Sequence, residues 1–386
     1  MRSIALLLCL VLLTGCARSP VETTPETIPE TSITSAPATA PETSHATEET
    51  SLPPDPVGEL LSAMTIQERV GQLFLIRCDA DTVLQDIGAY HPGGILFFGQ
   101  DFESQTPALF RQTVADYQAA ASVPMLLAVD EEGGTVTRIS QFPAFRDSRF
   151  PSPRTAYSRG GMEGALDNEE DICRFLSDLG LNVNLGPVCD ISTGPEAFMY
   201  RRSLGQDAET TAVFASGTVG LMRRYQIGSV LKHFPGYGNN SDTHTGIAVD
   251  DRSLDTLEGT DLRPFAAGIE AGCGAILVSH TIVNALDAEL PASLSPAVHS
   301  YLREVMGFDG VILTDDLYME AITDAYGAGE AAVMAVQAGN DLLCATDYGI
   351  QYEAVLAAAL DGRIDYDSLN ASVRRVLEWK MELGLL

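Results

Sequence analysis

The chain has 386 residues, with 53 acidic and 23 basic side chains and a formal charge of −30. Such acidity argues against nucleic-acid binding, which needs a basic face for phosphate, and against docking of the folded part on anionic lipid. Apolar residues make up 45% of the chain, which excludes a fibrous or wholly disordered protein and leaves material for a large core.

Residues 4–14 form an apolar run behind Arg2. The run is too short for a comfortable membrane span and reads as the core of a signal peptide. It ends in Leu13-Thr14-Gly15-Cys16, which resembles the bacterial lipobox, so residues 1–16 are expected to be a lipoprotein signal peptide with the lipid on Cys16. Residues 17–56 are dominated by Ser, Thr, Pro, Ala and Glu. They cannot bury enough surface to offset chain entropy and are expected to form a disordered tether. The remaining residues, 57–386, carry a charge of −25, so the acidity belongs to the folded part. Their five cysteines, Cys78, Cys173, Cys189, Cys273 and Cys344, are far apart, with no CxxC pair. They read as small buried residues and not as a disulfide framework or zinc site.

A helix is expected near Val57 and another at Thr65, where Thr65 and Glu68 have the capping-box spacing. Short apolar runs follow at 72–77, 93–99, 124–130, 181–187, 228–234, 275–280, 310–315 and 341–346. Amphipathic stretches separate them. One is ALDNEEDICRFLSDLG, and another runs from an expected N-cap at Asp207 to Arg223-Arg224. Eight nearly continuous apolar strands alternating with helices fit a parallel sheet covered on both faces. Eight is the number that closes a (β/α)8 barrel, although pattern alone leaves an open doubly wound sheet standing.

Polar residues gather at the C-terminal ends of these runs, the face where barrel enzymes keep their chemistry. They include Asp130-Glu131-Glu132, Asp190, Lys232-His233, Ser279-His280 and Asp315-Asp316. His45 and His91 read as inert, His299 as solvent-facing, and His233 and His280 as candidates by position. His244 lies in a polar loop two residues after Asp242. A carboxylate at that spacing can fix an imidazole tautomer and raise its basicity, which suits general acid/base work. By spacing alone, an idle surface loop stands beside that reading. A metal site drawing on His233, Asp242, His244, His280 and Asp315 is a weaker alternative, because no HxH or HExxH spacing supports it. GYGNNS begins as GxG, but no helical pattern follows it.

KHFPGYGNNSDTHTG (232–246) resembles the signature of family 3 glycoside hydrolases in their β-N-acetylglucosaminidase branch. Other stretches similar to that family appear in order: MTIQERVGQLF (64–74), VDEEGGTVTR (129–138), NLGPVCDI (184–191), RRSLGQD (201–207), GFDGVILTDDLYM (307–319) and AVQAGNDLL (335–343). The resemblance covers essentially all of residues 57–386.

It implies a single (β/α)8 catalytic barrel and hydrolysis of a terminal β-linked sugar with retention, through a covalent intermediate on Asp315. It implies that Asp242 and His244 act as the acid/base pair, in place of a Glu that the glucosidase branch takes from a further domain. With the sequence ending at Leu386, no such domain is expected. Asp130, Arg202, Lys232 and His233 match sugar-binding positions. Arg138, Asp190, Asp316 and Met319 match positions near the site. Tyr237, Glu131 and Thr243 depart from the usual residues, and Glu131 is expected to add charge near the rim.

The resulting expectation is an exo-β-N-acetylglucosaminidase acting on muropeptides or related glycans. It would be held outside the cytoplasm on the bacterial membrane by lipid on Cys16. No metal, organic cofactor or nucleic-acid partner is implied, and the oligomeric state is left open. The alternatives are a β-N-acetylglucosaminide phosphorylase and a non-catalytic glycan-binding lipoprotein.

Overall fold

The computed structural model describes residues 55–238, 240 and 246–386. The signal peptide, nearly all of the tether, Cys16, Asp242 and His244 therefore lie outside the described residues. The first helix, Pro56–Ala63, starts one residue before the expected boundary. Asp55 caps it by accepting the Gly58 N–H at 2.8 Å, and also pairs with Arg374. The next helix, Ile66–Gln72, opens on the expected capping box between Thr65 and Glu68.

Eight parallel strands follow: β1 (Phe74–Arg77), β2 (Gly94–Phe97), β3 (Leu126–Val129), β4 (Val183–Asn184), β5 (Gly228–Phe234), β6 (Ala275–Val278), β7 (Val311–Thr314) and β8 (Leu343–Ala345). Each falls inside one of the apolar runs read from the sequence. They pair in chain order, β8 pairs back onto β1, and a bridge between Leu313 and Leu342 joins β7 to β8. The ring is closed, which excludes the open doubly wound sheet.

Side chains alternate along each strand, and this period of two divides the core. Leu75, Leu96, Ala128, Val183, Val230, Leu277, Leu313 and Cys344 fill the barrel interior. Phe74, Ile95, Leu127, Leu231, Ile276 and Ile312 point outward under the helices. Helix Pro153–Leu179 contains the predicted amphipathic stretch and buries Ala165, Glu169, Ile172, Cys173 and Leu176 along one side. Helix Ala208–Arg224 is capped by Asp207 as its sequence suggests. Trp379, from the last helix, Tyr366–Glu382, packs with the interior cluster at the N-terminal end of the strands. All five cysteines of the barrel are free and buried.

Candidate active site

At the C-terminal ends of the strands and just beyond them, the inward register changes from apolar to mostly polar, Phe98 excepted. After Leu75 comes Arg77, after Leu96 Phe98, after Ala128 Asp130, after Val230 Lys232, after Leu313 Asp315 and after Cys344 Thr346. Phe98, Asp130, Lys232 and Asp315 line a cavity of about 810 Å³ at the barrel mouth, together with Arg138, Arg202, His233, Asp316, Tyr318 and Met319. Five sequence-derived site residues, Asp130, Arg202, Lys232, His233 and Asp315, thus share one cavity. A register irregularity between β5 and β6, spanning Leu231 to Phe234, lets the adjacent Lys232 and His233 both face it.

The centre of the network is Glu132, which sequence reasoning passed over. Its Oε1 accepts from Lys232 Nζ at 2.6 Å and from Arg202 Nη2 at 2.7 Å, and its Oε2 accepts from Arg202 Nε at 2.9 Å. Burial works against charge on Glu132, but Arg202 and Lys232 outweigh it and hold the carboxyl well below its ordinary range. Lys232 also donates to Asp130 Oδ1 at 2.5 Å, and Arg138 lies 3.5 Å from Asp130 Oδ2. Burial likewise opposes ionisation of Asp130, yet these two cations keep it below the usual carboxylate value. Two of the three Lys232 N–H donors are therefore committed to protein carboxylates.

His233 is locked between two charged neighbours. A guanidinium can only donate, so the 3.1 Å contact from Arg202 Nη2 makes Nε2 an acceptor. Nδ1–H then donates to Asp190 Oδ2 at 2.8 Å. Asp190 also accepts the backbone N–H groups of His233 and Tyr237, so it braces the chain beside the cavity. The ring is a neutral link that orients Arg202.

His280 does not reach the cavity. Its Nε2–H donates to the Asp316 carbonyl at 3.0 Å and its Nδ1 accepts from the Ser293 hydroxyl at 2.7 Å, so it steadies the chain just after Asp315. Neither His233 nor His280 keeps a ring lone pair for a metal, which removes two members of the alternative metal set.

Asp315 is half-buried. One oxygen accepts the Asp316 N–H at 2.9 Å, and the other makes no hydrogen bond among the described residues. Asp316 turns aside, accepting from the Thr346 hydroxyl at 2.6 Å and from the Tyr318 N–H. Burial is the main influence raising its carboxyl above the ordinary value.

Two expectations are corrected. Glu131 does not add charge at the rim. It is fully buried, and it accepts from the N–H groups of Arg138 and Ile139 and from the Ser140 hydroxyl, thereby bracing the hairpin Glu131–Gly133 with Val136–Thr137. Alternation explains the swap, because Asp130 and Glu132 share one side of the chain and Glu131 takes the other. Burial pushes the Glu131 carboxyl up. Gly133 follows with φ +85°, and a Cβ there would meet the Pro151 carbonyl at 2.1 Å, so the turn requires glycine. His299 does not face solvent. It is buried, with Nδ1 donating to the Ser295 carbonyl at 2.7 Å, and burial lowers its pKa.

A carboxylate with one open oxygen, set among fixed cations and acceptors at the C-terminal mouth of a (β/α)8 barrel, defines a barrel enzyme for a hydroxyl-rich ligand. The family model described as "Glycosyl hydrolase family 3 N terminal domain" matches residues 65–379, and the chain belongs to that family and is a glycoside hydrolase. Beta-hexosaminidase LpqI of Mycobacterium tuberculosis (strain ATCC 25618 / H37Rv) is 32% identical over 301 residues, which are 75% of this chain and 74% of that one. A Beta-hexosaminidase of Stenotrophomonas maltophilia (strain R551-3) is 32% identical over 307 residues, covering 73% of this chain and 88% of that one. The solved family 3 β-N-acetylglucosaminidase from Paenibacillus sp. str. FPU-7 superimposes with a TM-score of 0.79 at 32% identity, over 84% of this chain. This chain matches 63% of that longer protein, less than two-thirds of its length.

Proposed function

We propose that the protein is a retaining exo-β-N-acetylglucosaminidase, releasing terminal GlcNAc from muropeptides or related glycans. The observation that carries this reading is the open oxygen of Asp315 on the cavity floor, beside the Glu132-centred network. The names of the two beta-hexosaminidase relatives support the sugar assignment.

In the first step Asp315 attacks C1 of the sugar, and the C1–O bond electrons pass to the leaving oxygen, which takes a proton from His244. In the second step His244 removes a proton from water, the water oxygen bonds to C1, and Asp315 is released. Asp242 orients the imidazole and stabilises its protonated form. The third Lys232 N–H, the Arg202 guanidinium and Asp130 hold the sugar hydroxyls, with His233 setting the plane of Arg202. No cofactor takes part in this scheme. Residues 1–15 would be removed, leaving Cys16 as the first mature residue, and lipid on Cys16 would tether the barrel to the membrane through residues 17–56.

The deciding experiment compares an aryl β-GlcNAc with the aryl β-glucoside, then repeats the assay on Asp315→Ala. Preference for GlcNAc and loss of turnover in the variant are expected, with a fluorinated sugar labelling Asp315 alone. Rapid turnover by Asp315→Ala would remove the nucleophile assignment. The anchoring proposal is tested separately: Cys16→Ala should leave the detergent phase, and unchanged partitioning would refute lipidation.

A further inference from the structure

A second cavity, of about 490 Å³, opens beside the first at the C-terminal ends of β1 and β8, lined by Arg77, Gln100, Thr346, Asp347 and Tyr348 among others. Two contacts form the wall that the cavities share. The Arg77 guanidinium lies over the Phe98 ring, 4.5 Å from its centroid, and the Thr346 hydroxyl donates to Asp316 at 2.6 Å. Phe98 and Asp316 face the first cavity, whereas Arg77 and Thr346 face the second. Asp101 fixes the start of this wall by accepting the Phe98 N–H at 2.7 Å.

Arg77 is a half-buried cation that no acid holds. Arg138, Arg202 and Lys232 each pair with a carboxylate. Among the described residues no carboxylate stands within ion-pair distance of Arg77, whose side-chain hydrogen bond to Gln100 is long, at 3.5 Å. Stacking on Phe98 fixes the plane of the guanidinium and leaves its N–H edge for a planar acceptor with two oxygens. Arg138 approaches the same ring at 5.5 Å, so the wall carries two cations. Asp79 and Asp347 belong to the same lining, Asp79 being exposed and accepting the Asp81 N–H at 3.0 Å. Two acids there disfavour a dianion such as a phosphate monoester, which leaves a singly charged carboxylate as the fit.

We propose that the second cavity is the subsite for the part of the substrate released in the first step, and that Arg77, seated on Phe98, takes a carboxylate there. This rests on the reading of the protein as a β-N-acetylglucosaminidase. The terminal GlcNAc is neutral, so a carboxylate bound beside the first cavity belongs to the leaving sugar or its substituent. The chain as a whole, at −30, repels acidic ligands. A preference for an acidic leaving group is therefore a local effect, and Arg77 is where it is set.

The test compares kcat/KM, which reports binding and the first step, on the β-linked disaccharides GlcNAc–GlcNAc and GlcNAc–MurNAc. They differ only in the lactyl ether that puts a carboxylate on the leaving sugar. The wild-type protein should prefer the acidic disaccharide by roughly 10- to 10²-fold, the range of a hydrogen bond to a charged group. Arg77→Ala should bring the ratio close to unity, and Arg77→Lys, which keeps the charge without the fork, should retain part of it. Arg77→Gln is read in the same way as Arg77→Ala if the latter does not fold. A preference that survives loss of the Arg77 cation would overturn the proposal. So would its loss in Arg201→Ala alone, because that would put the carboxylate on the exposed rim of the first cavity. If the wild-type protein cleaves an aryl β-GlcNAc but shows no preference between the disaccharides, the subsite fails alone. If it turns over none of the three, the glycosidase reading fails and the subsite falls with it.

Discussion

Glu132 shows how one buried carboxylate can set several ligand-facing groups at once. It receives Lys232 and the Nε–Nη2 edge of Arg202, and through Arg202 it reaches His233 and Asp190. Glu132→Gln keeps the shape but turns an acceptor into a donor facing a cation. Breaking a buried pair from one side costs roughly 3–5 kcal/mol. The variant should lose about 10²-fold or more in kcat/KM on an aryl glycoside, mainly through KM, and a wild-type KM would show that the pair is not what positions the donors. A second acid, Glu169, is buried on helix Pro153–Leu179 with no cation paired to it among the described residues. Burial, helped by the charge of Glu132, pushes it up to about 8. It is therefore protonated in the folded protein at neutral pH, whereas the unfolded chain releases that proton above about 4.5. The unfolded state binds fewer protons between those values, so stability falls as pH rises through that window. Glu169→Gln should raise Tm at pH 8 by an amount equivalent to a few kcal/mol and leave it unchanged near pH 4. A pH-independent effect would show that the acid is ionised in the fold.

Among the elements, the strands were the most legible. All eight apolar runs became barrel strands, because a strand covered on both faces carries almost no polar residue to disguise it. The caps at Thr65 and Asp207 were equally readable, since they depend on contacts within one turn. What the element pattern did not show was how the strands close at their N-terminal end. There Trp379 lies against Gly228 and Gly274, and a Cβ on Gly274 would meet its Nε1 at 1.9 Å. Overpacking of this kind typically costs 1–3 kcal/mol. Gly274→Ala should therefore lower the unfolding free energy by about that amount in a denaturant titration, while kcat/KM at the opposite end stays unchanged. Wild-type stability would mean that the indole has room to move.

For the whole molecule, the charge of −30 bears on which acceptor takes the sugar. A neutral His base repels phosphate less than a carboxylate would, so the proposed Asp242–His244 pair leaves phosphorolysis chemically open. The cavity itself carries Arg138, Arg201, Arg202 and Lys232 against Asp130, Asp315, Asp316 and Glu320. Repulsion of phosphate therefore comes from the whole surface and not from Glu131, which is buried. Long-range repulsion of that kind slows entry and is screened by salt. GlcNAc should exceed GlcNAc-1-phosphate at physiological phosphate, with the share of the sugar phosphate rising as inert salt is added. A product that is mostly sugar phosphate would replace hydrolysis by phosphorolysis and leave the proposed role of Asp315 intact.

Local order along the chain was enough to determine the strands, the caps, the α/β class and the presence of Asp130, Lys232, His233 and Asp315 at strand ends. These follow from hydrophobic period and from the rule that the inward register ends at the mouth. Closure of the ring, which excluded an open sheet, came from the tertiary structure. Only the tertiary structure decided which acid of Asp130-Glu131-Glu132 serves the cavity and which serves the hairpin. It alone turned His280 onto a carbonyl, buried His299 and locked His233 between Asp190 and Arg202. Around the cavity those outcomes depend on distant partners, with Arg202 lying 31 residues from His233 and 70 from Glu132 in sequence. A side chain's role there is set by which donor meets it across the barrel, and that meeting exists only once the ring has closed.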